Sequence, residues 1–490
     1  MRVKLNKTQL TDKIFACWLG KNIGGTMGFP YEGTREILDI SGYATPKGEP
    51  LPNDDLDLQL AWLSIIERFG IDTFNANRLA QAWQLLITPN WAEYGISKKN
   101  LEVGLLPPLS GEFQNDKWKN SNGAWIRSEL WACLAPGFPN IAIKYALMDA
   151  SIDHGLGEGT YAEMFTAALQ SMAFVETDTR VIIETALTYI PADCRVAKCI
   201  RCVLEEYDKK TPYKDVRNML VEMTKDIGWF QAPQDLGFVT IGLLYGEGDF
   251  KKSMIYTINC GDDTDCTGGT LGSIMGLIGG TAIIPEDWRE YIGDRIVQYC
   301  VNGQYAHWLP KTCADLTERV IKTIPKMLEH HNVEVEFTDG ELEYNKEEAL
   351  KILSNYSANF FNRSRFSFDI TDFFDLNATV EYETEPVIKA GEEFKFSIKF
   401  TQLIGDKTVF GFMDIPLPEG WTAKYNKTVT IVKEGDLFEV ESQNPGGIKQ
   451  NIVEITIIPG ENIQPVNKLY IHIDRQAHGI PFVIPITLIG

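Results

Sequence analysis

The sequence predicts a multidomain protein in which an all-α helical domain precedes an all-β sandwich, and three observations lead there. After the PNDD stretch, Leu58, Ala61, Trp62, Ile65, Ile66 and Phe69 fall at i, i+3, i+4, i+7, i+8 and i+11, one face of an amphipathic helix. Past Phe366 the texture changes to strict alternation, as in Phe394-Lys-Phe-Ser-Ile-Lys-Phe400. The chain has 490 residues, for which a prior of about three domains, or two large ones, is reasonable.

Further helical patterns cover Glu163 to Val175, Val181 to Tyr189, Ala197 to Tyr207 and Ala314 to Glu329, so residues 1–340 are expected to form one helical domain. Residues 341–365, polar and then aromatic, are expected to be a linker. Residues 366–490 add alternation at Thr428 to Ile431 and Ile455 to Ile457. Turn residues at Ala390-Gly391, Pro416, Pro418, Gly420 and Pro445 to Gly447 punctuate them. About seven short strands in this span suggest a β-sandwich. Its Ile415-Pro-Leu-Pro-Glu-Gly-Trp421 stretch resembles immunoglobulin-like modules appended to carbohydrate-active enzymes, which implies an accessory, scaffolding domain.

Composition excludes several functions. With 44% hydrophobic and 23% charged residues the chain can bury a sizeable core. A net charge of −21 repels polyanions, so neither nucleic acid nor an anionic membrane is an expected partner. The apolar run around Thr270 to Ile284 is broken by glycine and shorter than the roughly 20 residues a span needs. The N-terminus lacks a signal-peptide pattern, and nine cysteines scattered before residue 314 suit reduced thiols, so the expected location is cytoplasmic. Cys194, Cys199 and Cys202 lack the partner motif of a zinc site and are expected to be buried structural thiols.

The chemistry concentrates in two acidic clusters. Asp262, Asp263 and Asp265 lie within four residues and run into a helix carrying Gly268, Gly272, Gly276 and Gly280. Such a stripe of bare backbone lets a second helix approach and pin the aspartate loop. An EF-hand fails because its twelfth position is Ile274, and a D-x-D-x-T phosphatase reading fails because the surroundings are helical. Helix capping is favourable by about 0.3–1 kcal/mol per carboxylate, but one aspartate would satisfy it. The second cluster, Asn53-Asp54-Asp55-Leu56-Asp57, also opens a helix, with Asn53 as a suitable N-cap. Two acidic helix starts suggest one shared site for a hard cation with oxygen ligands.

Six ordered motifs carry a family resemblance. Asp12 to Gly20 and Gly24 to Gly33 resemble the opening helix and the glutamate-bearing turn of the ADP-ribosylglycohydrolases. Asn53-Asp54-Asp55, Asn122-Gly123-Ala-Trp-Ile-Arg127, Asp153-His154 and Cys260-Gly-Asp-Asp263-Thr-Asp265-Cys266 resemble motifs that follow in the same order. The resemblance spans about residues 10–335 and implies an all-α fold with a site for one or two Mg2+ ions, Mn2+ being an alternative. It implies Asn53, Asp54, Asp55, Asp263, Asp265, Cys266 and Thr267 as the metal shell, with Asn53 and Cys266 standing where the family carries threonine. Sulfur is a poor ligand for a hard cation, so Thr267 is the alternative to Cys266. Asp262 takes a position the family gives to glycine. The resemblance also implies Glu32 and Asp263 as catalytic carboxylates and Asn122, Gly123, Asp153 and His154 as substrate contacts. The expected activity is hydrolysis at C1 of an ADP-ribosyl or related ribosyl compound, free or on a protein. The alternatives are a non-catalytic ADP-ribose-binding protein and a hydrolase of another sugar conjugate. Trp118, Trp125 and Trp131 flank the glycine loop as candidates for stacking or for core.

Overall fold

The computed structural model describes residues 1–340, 342–371, 376–402, 409–431, 451–475 and 481–490. They form two compact units: Met1–Gly95 with Asn115–Phe360, and Ile96–Gln114 with Phe361–Gly490.

The first unit is helical. Expected helices appear at Asp54–Phe69, Glu158–Met172, Arg195–Asp208 and Cys313–Glu329. The Val181 to Tyr189 pattern becomes a helix at Thr179–Ala186 and a 3-10 turn at Leu187–Tyr189. Two strands not evident in the sequence, Arg2–Asn6 and Glu334–Thr338, pair in parallel. The range expected to be linker holds the helices Lys346–Lys351 and Tyr356–Phe361, and the Leu350 carbonyl accepts a 2.8 Å bond from the Asn140 amide.

Helices Lys7–Gly28 and Thr264–Gly279 place the site by packing glycine on glycine. A Cβ on Gly272 would stand 2.1 Å from the Gly20 carbonyl oxygen, and one on Gly24 would stand 2.0 Å from that of Gly268. No other residue permits this backbone approach. The apolar run is also longer than the sequence suggests. Thr264–Ile283, with its 3-10 end, has 20 residues and passes a membrane span's test of length and composition, while 72% of its apolar window is buried inside the protein.

In the second unit one sheet orders its strands Ser367–Ile370, Leu376–Tyr382, Phe394–Gln402, Ile452–Ile458 and Thr422–Tyr425. The other runs Phe482–Ile489, Val466–Arg475, Val409–Asp414 and Thr428–Ile431. Alternation puts Phe394, Phe396, Ile398 and Phe400 into the common core, with Val429, Ile431, Ile455 and Ile457. The expected turn at Pro445 to Gly447 lies outside the described residues. Residues 96–114, assigned to the helical domain from sequence, belong here instead, because Leu105, Leu109 and Phe113 enter this core and Glu112 pairs with Arg365 at 2.6 Å.

Candidate active site

The two acidic helix starts meet at one cavity of about 520 Å³, lined by Glu32, Asp54, Asp263, Asp265 and Cys266 with the aromatic rings of Phe29, Trp91, Tyr94, Trp118, Phe230 and Tyr299. Oxygens of Glu32, Asp263 and Asp265 converge within 4.8 Å of one another, and so do ligand atoms of Asp55, Asp265 and Cys266. Capping explains neither cluster. Asn53 and Asp263 occupy the N-cap positions of Asp54–Phe69 and Thr264–Gly279, yet neither side chain makes a capping bond. Both amide atoms of the buried Asn53 and Oδ1 of the buried Asp265 have no hydrogen-bond partner among the described residues. Burial first, then neighbouring charges, pushes Asp54, Asp55 and Asp265 above the usual carboxylate range, with Lys21 opposing the rise at Asp55. Glu32 sits at the rim with its carboxyl turned into the cavity lining, where partial removal from water and the charges of Asp263 and Asp54 push it up to about 7. Unpaired hard oxygens gathered with too little positive charge fit a divalent cation.

The other acids have structural partners. Asp57 accepts 2.8 Å bonds from the backbone N–H groups of Tyr299 and Cys300 and so fixes that loop, from which the Tyr299 hydroxyl donates to Asp54 at 3.1 Å. Asp262 accepts from the Phe230 N–H at 3.1 Å and from Gln234 at 2.6 Å. Its backbone exchanges bonds with Thr34 and Gly33, holding the Glu32 turn in place. With φ at 66°, Asp262 adopts a conformation that favours glycine, which explains the residue the family carries there.

Cys266 belongs to a group of atoms that could hold an ion, whereas Thr267 turns its hydroxyl into its own helix, away from the role that the resemblance implies. The Cys266 thiol donates to Asp55 Oδ1 at 3.4 Å, and burial pushes its pKa well up, so the sulfur is a neutral donor to a ligand. The Thr267 hydroxyl donates to the Asp263 carbonyl at 2.9 Å, inside its own helix.

Asp153 and His154 are corrected as well: both are fully buried and outside the cavity lining. Arg127 grips Asp153 with bonds of 2.8 and 3.1 Å and Asp149 with one of 3.0 Å, and it donates to the Gly123 carbonyl. Burial alone would raise Asp153, but Arg127 and His154 hold it at about 2. His154 Nε2 lies 3.1 Å from Ser121 Oγ. This pair braces the glycine loop from beneath. Asn122 and Gly123 do line the cavity, and Asn122 also donates to Asp263 at 2.8 Å and to Asp235 while accepting from Trp125. Trp118 faces the cavity, while Trp125 and Trp131 are core. Cys194 and Cys199 are buried, and none of the three spaced cysteines joins a metal-competent group among the described residues.

Four residues escape sequence reasoning. Lys21 is a fully buried cation 3.4 Å from Asp55 Oδ2 and 3.0 Å from Glu129 Oε1. Glu129 also accepts from Gln59 at 2.9 Å and Ser273 at 2.8 Å, tying three helices behind the acids. Glu93 lines the cavity with a carboxyl that burial pushes up to about 7, and a Cβ on Gly123 would stand 2.1 Å from it. Asp235 is wholly buried against Asn122. The only signal for Lys21 was a charged residue among the apolar positions of the opening helix.

In this mainly helical unit, two separate helix starts thus bring carboxylates to one aromatic-walled cavity. The chain belongs to the ADP-ribosylglycohydrolase family, whose model matches residues 6–323, and it is a hydrolase of the glycosyl-hydrolase type. A solved structure described as "ADP-ribosylglycohydrolase-related protein complex" is similar at 18% identity over 65% of this chain and 99% of its own, with a TM-score of 0.45. A yeast structure, "Crystal structure of yeast GGA1_GAE domain-P21", is similar at 11% identity over 25% of this chain and 97% of its own, with a TM-score of 0.17. No curated protein matches the chain.

Proposed function

We propose that this protein is a magnesium-dependent glycoside hydrolase that cleaves the C1 glycosidic bond of an ADP-ribosyl or related ribosyl substrate. The observation that carries the reading is the convergence of Asp54 with Asp263 and Asp265, about 210 residues away in sequence, on one cavity, with Asp55 grouped beside Asp265 and with unpaired oxygens. Asn53, Asp54, Asp55, Asp263 and Asp265 would hold one or two cations. A bound Mg2+, or Mn2+, supplies positive charge that orients the ribose hydroxyls. Glu32, at the rim, takes the proton of the attacking water. Asp263 places negative charge beside the oxocarbenium-like carbon, and the rings of Trp118 and Tyr299 exclude water and offer stacking faces. The sandwich serves as an immunoglobulin-like accessory domain, and the protein works in the cytoplasm.

Incubation with magnesium and ADP-ribosylated protein, ADP-ribose esters or simple ribosides should release free sugar. Asp54→Ala and Asp263→Ala should each abolish the release. Full activity in both variants rejects the site. The thiol on Asp55 favours a second reading, a protein that binds ADP-ribose without turnover. Calorimetric binding of ADP-ribose with no product from any of these substrates would select it.

A further inference from the structure

The first unit carries a second hollow, of about 460 Å³, at the far end of the helix that begins with Asp54. Arg68 and Phe69 close that helix, so at 1.5 Å per residue the hollow lies roughly 20 Å along the axis from the acids. Its wall is apolar, built by Ile65, Phe69, Leu85, Leu86, Tyr305 and Trp308. Three of these stay open to solvent: Phe69 is 43% exposed, Trp308 51% and Leu85 61%. Scattered exposed apolar residues are ordinary, but three converging on one concave surface of ligand size are not.

The charges around it are distinctive for so acidic a chain. Arg68, Arg78 and Arg319 line the hollow against one carboxylate, Glu67. Glu67 is committed to Arg319, which grips it with two guanidinium nitrogens and also donates to the Trp308 carbonyl at 2.9 Å. Arg68 and Arg78 have no ion pair among the described residues. Instead they lie over rings, Arg68 at 5.3 Å from the Trp308 centroid and Arg78 at 4.7 Å from that of Phe69. Stacked guanidiniums keep their N–H edges free and oriented for an anion.

We propose that this hollow binds a small organic anion, with an apolar, ring-sized body against Phe69, Leu85 and Trp308 and a carboxylate or phosphate head on Arg68 and Arg78. A neutral ligand would leave the two cations without a counter-charge, and a bare inorganic anion would leave the apolar wall wet. The site is independent of the acidic cavity and of any catalysis there.

Isothermal titration of the full chain with 2-naphthoate, 1-naphthyl phosphate and uncharged 2-naphthamide tests it. At least one of the two anions should bind, and the tighter one names the head group. The amide should bind about tenfold more weakly or worse, since a charge-assisted bond typically contributes that much. The double variant R68Q/R78Q should lose at least that factor for the anions and nothing for the amide. Leu85→Glu, a change at an exposed position, should also repel the anions if the double variant folds poorly. Asp263→Ala should leave naphthoate binding intact, which separates this site from the acidic cavity. Equal binding of acid and amide, undiminished anion binding in both hollow variants, or no binding at millimolar concentration would overturn the proposal.

Discussion

At the scale of single residues, chemically identical groups acquire different roles from their partners. Asp262 has both oxygens filled by the Phe230 N–H and the Gln234 amide, whereas Asp265, lining the cavity, keeps one buried oxygen without a partner among the described residues. Cys266 is the most informative position because its thiol contacts a ligand without being a good one. Cys266→Thr should raise magnesium affinity by roughly tenfold, the usual scale for residues that support a metal ligand, as measured by magnesium titration. Unchanged affinity would place position 266 outside the coordination sphere. Lys21 is a sharper case of dependence. Replacing it by Met leaves Glu129 and Asp55 buried without their cation, and stability should fall by about 3–5 kcal/mol in urea unfolding. Neither Asp55 nor Glu129 could be assigned to Lys21 from sequence, since they lie 34 and 108 residues away.

At the scale of elements, the glycine seam between Lys7–Gly28 and Thr264–Gly279 connects packing to chemistry. Gly272→Ala would drive a methyl group into the Gly20 carbonyl, and overpacking of this kind typically costs about 1–3 kcal/mol. Because Asp263 and Asp265 ride at the start of the same helix, the variant should lose metal affinity together with stability. A stability loss with metal binding unchanged would show that the seam does not position the acids. The end of the Cys313–Glu329 helix gives a pH prediction. Burial, helped by Lys144 and His330, holds His331 down at about 3 against an ordinary 6.5, and its Nε2 meets the Tyr145 hydroxyl at 2.9 Å. The unfolded chain therefore binds this proton more readily than the folded protein. The stabilisation is complete above pH 6.5 and is lost as the pH falls from there towards 3. His331→Gln should flatten the stability curve across that window in chemical denaturation. An unchanged slope would assign the acid sensitivity to other groups.

At the scale of the molecule, a cation that binds only the folded site stabilises it by mass action, by about 2.7 kcal/mol at a hundredfold excess over Kd. Magnesium should therefore raise the thermal midpoint of the native chain and leave that of Asp263→Ala unmoved, with chelator reversing the shift. The division into two units also shows how far sequence patterns reach. The strand alternation and the helix beginning at Asp54 were legible because burial of one face imposes a period of 2 or 3.6 on the residues themselves. Residues 96–114 were not, because the spacing of Leu105, Leu109 and Phe113 records only that one side is buried, and a sheet core satisfies it as well as a helical one.

The sequence by itself determined the two fold classes, the glycine seam and the two acidic helix starts, since each is written in local spacing and residue chemistry. The tertiary structure decided which carboxylates remain without donors, placed Asp153 and His154 beneath the glycine loop, and supplied Lys21, Glu129, Glu93 and Asp235. It could do so because a buried polar group takes its role from whichever donor the fold brings within hydrogen-bond reach, and those donors lie tens to hundreds of residues away along the chain.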